Sequence, residues 1–89
     1  MEENFSLSED AQRELYRISC YYEYLEKHDD FFSDLIRQLN LIKKMPYCFQ
    51  VRYKDVRIVS LEKHSYSIHY RIINEDIYVI HIINQKQDY

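Results

Sequence analysis

The chain has 89 residues and not one glycine among them. Glycine is the residue that enters the left-handed backbone region without steric cost. Without it, every tight turn falls to residues such as Asn and Asp, which tolerate positive φ nearly as well. The absence also removes whole classes of chemistry. Glycine-rich phosphate loops and dinucleotide fingerprints are excluded, and so is the nucleophile elbow of the α/β-hydrolases. What remains is a chain of 46% apolar and 30% charged residues, a globular composition. One domain, 1–89, is expected, with a thin stability margin for its size. Ten tyrosines and four phenylalanines supply large buried area per residue, and some of the tyrosines are candidates for a recognition surface.

The first half alternates weakly over residues 4–7, where Phe5 and Leu7 fall on one side, so a short edge strand is expected there. Ser8 offers an N-cap, and Glu9 and Asp10 place negative charge in a first helical turn. Ala11, Leu15, Ile18, Tyr22 and Leu25 follow at spacings of four, three, four and three, which predicts a helix over 8–28 ending at Lys27–His28. Asp29 or Asp30 caps a second helix over 30–44 with a stripe of Phe32, Leu35, Ile36, Leu39 and Ile42, and Pro46 stops it. The two helices form a hairpin that must bury itself against something.

Residues 49–83 supply it as a meander. Phe49–Tyr53 and Val56–Leu61 are strands joined through a turn at Tyr53-Lys54-Asp55. Tyr66–Ile72 puts Tyr66, Ile68, Tyr70 and Ile72 on one face and Ser67, His69 and Arg71 on the other. Asn74-Glu75-Asp76 turns into Ile77–Ile83, apolar on both faces and so expected to be covered on both. A tail, 84–89, follows. The fold class is α+β, in the order β-α-α-β-β-β(-β), with an N-terminal helical hairpin on a mostly antiparallel sheet. The opposite sheet face is expected to carry Arg57, Ser67, His69 and Arg71 toward a partner.

Net charge is −3. Residues 1–48 hold ten acidic and six basic side chains, whereas residues 49–89 hold five and six. A strongly basic nucleic-acid footprint is missing, apart from a local run of Lys43, Lys44, Arg52, Lys54 and Arg57. Cys20 and Cys48 form no CxxC pair and are expected to be reduced and partly buried. With no long apolar run and no leader pattern, a cytoplasmic location away from membranes is expected. His28, His64, His69 and His81 lack zinc spacing, so neither metal nor cofactor is expected, although His69 and His81 fall on adjacent strands. One reaction survives: metal-free RNA cleavage by clustered basic, His and Tyr side chains. Its candidates are Lys54, Arg57, His69, Arg71, His81 and Tyr89, with Arg57, His69 and Arg71 at the catalytic centre. The alternative is that these arginines solubilise the sheet or meet an acidic partner.

The stretches "LSEDAQRELYRISCYYEYL", "FFSDLIRQLNLIKKMPYCFQVRYKDVRIVSL" and "YSIHYRIINEDIYVIHI" together resemble the RelE/ParE superfamily of toxins from type II toxin–antitoxin modules. The likeness runs from Phe5 to Asp88 and is carried by the Tyr21-Tyr22 pair, Pro46, Arg57 and the Tyr66-Ile68-Tyr70 pattern. It implies a toxin held by a cognate antitoxin in a hetero-oligomer. Its target is either DNA gyrase, as for ParE-like members, or ribosome-bound mRNA, as for RelE-like members; a non-toxic peptide-binding module is the remaining alternative. It also implies that Lys54, Arg57, Tyr70, Arg71, Asn84 and Gln87 touch the partner or target. Asn84 and Gln87 stand where ParE-like chains often carry His and Arg, while Asp88 is retained. The loss of terminal basic groups departs from both patterns; together with the acidic net charge it weighs against docking on ribosomal RNA, and the ParE-like reading is favoured over the RelE-like one.

Overall fold

The computed structural model describes residues 5–85. Five strands and two helices run in the order β1 (Phe5–Leu7), α1 (Glu9–Tyr24), α2 (His28–Lys44), β2 (Val51–Tyr53), β3 (Val56–Ser60), β4 (Tyr66–Ile73) and β5 (Asp76–Asn84). The sheet order is β1-β5-β4-β3-β2; β1 pairs parallel with β5 and every other pair is antiparallel. The architecture is the expected α+β one, a helical hairpin on a meander with a short strand added to its edge.

Ser8 links β1 to α1 and serves both. Its Oγ accepts from the Ala11 amide at 3.0 Å and donates to the Ile80 carbonyl at 2.9 Å, and its own amide donates to Val79. The helix that follows is shorter than the sequence suggests. Glu26 enters the left-handed region at φ 60°, its amide donates to the Glu23 carbonyl, and the Lys27 amide donates to the Tyr22 carbonyl. That is a Schellman closure with glutamate at the position glycine usually takes. His28 therefore opens α2 instead of closing α1. Asp29 and Asp30 lie in the first turn of α2 rather than capping it, and Lys27, at the N-cap, makes no side-chain cap bond.

Both two-residue hairpins also do without glycine. Lys54 and Asp55 join β2 to β3 at φ 43° and 68°, and Asn74 and Glu75 join β4 to β5 at 52° and 69°. Positive φ at both central positions is the type I′ pattern, whose twist matches the strands it connects.

The core lies between the helices and one face of the sheet. Ala11, Ile18, Phe31, Leu35 and Ile42 meet Val59, Leu61, Ile68, Tyr70, Ile77, Val79 and Ile82. The β5 positions reveal why its pattern misled: Ile77 and Val79 are odd, Ile82 is even. A bulge beside Ile80 shifts the register, since His69 pairs with His81 and Tyr70 with Val79. The unbroken apolar run is thus two half-buried phases joined by a bulge; β5 is not covered on both sides, and Tyr78 is exposed.

Candidate functional site

Three polar arrangements stand out, two of them built on β4 and the third on the connection that leads into it. The first surrounds Tyr70. Tyr70 pairs with Arg57 across β4 and β3, on the same face as Val59 and Ile68, so Arg57 lies on the helix side of the sheet and not on the outer face. After α2 ends, the connection through Pro46 and Phe49 passes over this pair. The Tyr70 hydroxyl donates to the Pro46 carbonyl at 2.6 Å, and Arg57 Nη1 donates to the Phe49 carbonyl at 2.7 Å. The Arg57 guanidinium also lies 5.4 Å from the centre of the exposed Tyr47 ring, within cation–π range. Tyr70 is fully buried, and burial pushes its phenol up to about 12 despite the opposing pull of Arg57. It is a fixed hydrogen-bond donor, not an acid–base group at neutral pH.

The second arrangement occupies the other sheet face. Tyr53 meets His69 Nδ1 at 2.9 Å, the His69 and His81 rings lie 6.3 Å apart, and His81 Nδ1 reaches Glu14 Oε2 at 3.1 Å. Glu14 Oε1 also accepts from the Ile82 amide at 2.9 Å, so α1 satisfies the edge of β5 where β1 no longer covers it. His69 is fully buried. Burial, with His81 beside it, drives its imidazole down to about 4, against a smaller upward pull from Glu14. Ser67, on the same face, is also buried, and its Oγ has no hydrogen-bond partner among the described residues. The face expected to be open therefore has its own closed centre. Among the described residues, no group of three or more potential ligands could hold a metal ion.

The third is the 62–65 connection between β3 and β4, pinned to α2 by one carboxylate. Asp34, 1% exposed, accepts from the Glu62 amide at 3.1 Å, the Lys63 amide at 2.7 Å and His64 Nδ1 at 2.9 Å. Burial alone would raise its pKa; the His64 hydrogen bond and the two amides outweigh that and hold it below the usual carboxylate value. The pinned connection forms one wall of a 620 Å³ cleft against α1, lined by Arg17, Tyr21, Tyr22, Lys63, Tyr66 and Asn84 among others.

The residues singled out from sequence are thus dispersed. Arg57 and Tyr70 adjoin on the helix side; His69 and His81 adjoin on the other. Arg71 pairs with Tyr78 on that outer face, and Lys54 sits at the β2–β3 turn. Asn84 lines the cleft. Gln87 and Tyr89 lie outside the described residues. Both cysteines are exposed rather than partly buried: Cys20 on α1, Cys48 in the connection after α2. Sequence reasoning missed the cleft, Glu14 and Asp34. The Tyr21-Tyr22 pair was a visible signal for the cleft, because an amphipathic stripe needs only the second of these rings. Asp34, inside a helix stripe, carried no signal.

This geometry is that of a RelE/ParE-like α+β fold. One solved structure, titled "Chromosomal ParDE TA system from P. aeruginosa", superposes with a TM-score of 0.73 over 92% of this chain and 95% of that one, at 18% identity. That likeness speaks for the fold. No curated protein matches the sequence. The family model for the ParE toxin of type II toxin–antitoxin system, parDE, matches residues 5–89, and the chain belongs to that family. It is the toxin half of a toxin–antitoxin pair, and its partner is a cognate antitoxin. No described helix is long and apolar enough to cross a membrane.

Proposed function

We propose that this toxin arrests growth by binding DNA gyrase or a related topoisomerase in the cytoplasm, that it does not cut RNA, and that its antitoxin relieves the arrest by forming a hetero-oligomer with it. The chain acts as one folding unit over 1–89. The observation that carries this reading is the dispersal of the acid–base candidates. A metal-free nuclease needs a base within hydrogen-bond reach of the attacking hydroxyl and a cation on the same phosphate. His69 is 0% exposed, is a weak proton acceptor with its pKa near 4, and lies across the sheet from Arg57. A net charge of −3 also opposes docking on RNA. In this reading Lys54, Arg71, Asn84 and Gln87 touch the target or antitoxin. Arg57 and Tyr70 contribute by fixing the connection that presents Tyr47.

Purified toxin should inhibit supercoiling of relaxed plasmid by gyrase, and induction in cells should trigger DNA-damage signalling. Growth arrest with codon-linked cuts in mapped mRNA 5′ ends, and with gyrase unaffected, would replace this reading with ribosome-dependent cleavage.

A further inference from the structure

The stretch from the end of α2 to the start of β3 is charged unlike the rest of the chain. Lys43, Lys44, Arg52, Lys54 and Arg57 fall within it, and Asp55 is its only carboxylate. Lysines in a last helical turn complement the helix dipole, but that does not account for Arg52 and Lys54, which lie beyond the helix. Lys44, Arg52 and Lys54 are exposed, and among the described residues none of the three makes an ion pair. The opposite end of α2 carries the other sign. Glu23, Glu26, Asp29 and Asp30 gather around the α1–α2 link. They lie about 25 Å away along a helix of 17 residues. The net charge of −3 thus hides a molecule with a basic end and an acidic end.

The basic end also exposes apolar surface, on a segment held from beneath. Met45, Tyr47 and Val51 are all exposed. Tyr70 and Arg57 hold the carbonyls of Pro46 and Phe49 on either side of Tyr47, and the Cys48 amide closes a turn on the Met45 carbonyl at 3.2 Å. Val51 pairs with Arg57, whose guanidinium faces the Tyr47 ring, so the three are neighbours. Tyr47 is nonetheless 63% exposed. A large ring is therefore displayed on an ordered backbone, with little left to freeze on binding. Aromatic and Met side chains at the centre, with charge at the rim, is the anatomy of a protein–protein contact. A phosphate backbone would engage the cations but leave Met45 and Val51 against nothing apolar.

We propose that the 44–54 segment docks on an acidic protein surface of the topoisomerase, with Tyr47 entering an apolar hollow and Lys44, Arg52 and Lys54 facing carboxylates around it. The DNA held by that enzyme is not the contact. The opposed charges at the two ends of α2 orient the toxin as it approaches, basic end first. The proposal rests on the topoisomerase reading and adds to it which end of the toxin engages and what chemistry it meets there.

The test uses full-length toxin and gyrase holoenzyme free of DNA, with affinity measured by interferometry across a salt series. The triple variant Lys44→Glu/Arg52→Glu/Lys54→Glu should weaken binding by roughly 100-fold or more at low salt and flatten the salt dependence. Tyr47→Ala should weaken binding about tenfold or more and leave the salt dependence as in wild type. Lys27→Glu reverses a charge at the far end of α2 and should not weaken binding. Circular dichroism melts establish that each variant is folded, and Tyr47→Ala tests the surface without reversing any charge. The docking proposal is overturned if the folded variants bind as wild type does, if Lys27→Glu weakens binding as much as the triple variant, or if wild-type toxin binds the holoenzyme only when DNA is present. Loss of binding to a short DNA duplex in the triple variant, with holoenzyme affinity unchanged, assigns the basic end to nucleic acid and overturns it as well. If wild-type toxin neither binds gyrase nor inhibits supercoiling, the topoisomerase reading itself falls, so the two failures are distinguishable.

Discussion

Glu26, Lys54, Asp55, Asn74 and Glu75 all hold positive φ, between 43° and 69°. For a residue with a Cβ this region costs about 1–2 kcal/mol, less for Asn and Asp. Glu26 and Glu75 therefore carry strain that glycine would release, offset by about 0.5–1 kcal/mol for glycine's greater freedom when unfolded. Glu26→Gly and Glu75→Gly should each stabilise the protein by about 0.5–1 kcal/mol, raising Tm by a few degrees. A lower Tm in both would show that the glutamate side chains make contacts worth more than the strain. His69 gives a pH-dependent counterpart. Its imidazole titrates near 4 when folded, against 6.5 for an ordinary histidine. Between those values the unfolded chain binds a proton that the folded chain refuses, so stability is fully present above pH 6.5 and is lost as pH falls toward 4. The loss is on the order of 2–3 kcal/mol by pH 4.5. Urea titrations at pH 7.5 and 4.5 should show a larger drop for wild type than for His69→Gln, whose side-chain amide offers Tyr53 both a donor and an acceptor. Equal drops would mean that His69 titrates normally.

Among the elements, the starts were easier to read than the ends. Ser8 announced α1 because its side chain caps the helix in sequence-local fashion, and Pro46 announced the limit of α2. The end of α1 was hidden because a glutamate fills the left-handed closing position, and Lys27 and His28 imitate a basic last turn. The β5 bulge was equally invisible, since an apolar residue stands at every phase the shift could use. The tie between α2 and the 62–65 connection was hidden too, because it spans 28–30 residues of sequence through Asp34. That tie makes a specific prediction. Asp34→Asn sets an amide donor against groups that already donate, and should cost about 2–3 kcal/mol in urea unfolding. Hydrogen exchange should quicken first at the Glu62 and Lys63 amides. Acid should imitate the mutation: with its folded pKa lowered, Asp34 stabilises the protein above the usual carboxylate value of about 3.9 and ceases to as pH drops through the folded value. Unaltered exchange in the variant would show that the connection is held from elsewhere.

At the scale of the whole molecule, the sheet separates two sets of functional candidates that the linear pattern had merged. Alternation along β4 correctly put Tyr70 and His69 on opposite faces, but Arg57 was assigned to the wrong one. Its partner across the strands was legible only once the register was known. The cleft was less legible still, since it joins α1 to a connection more than forty residues away and no local period encodes that. This separation sets the two toxic mechanisms apart in a way a single substitution can probe. If toxicity came from RNA cleavage with His69 as acid–base, His69→Gln would abolish it however stable the variant. If toxicity comes from binding, the same change matters only through stability. The variant, expressed at near-neutral pH and shown to be soluble and cooperatively folded, should then arrest growth within a few-fold of wild type at matched protein levels. Arg71→Glu reverses a charge on the outer face without entering the core and should weaken the arrest at least tenfold, read as the inducer concentration needed to halt growth. The opposite pattern, a harmless His69→Gln and a fully toxic Arg71→Glu, would place the toxic chemistry at the buried histidine.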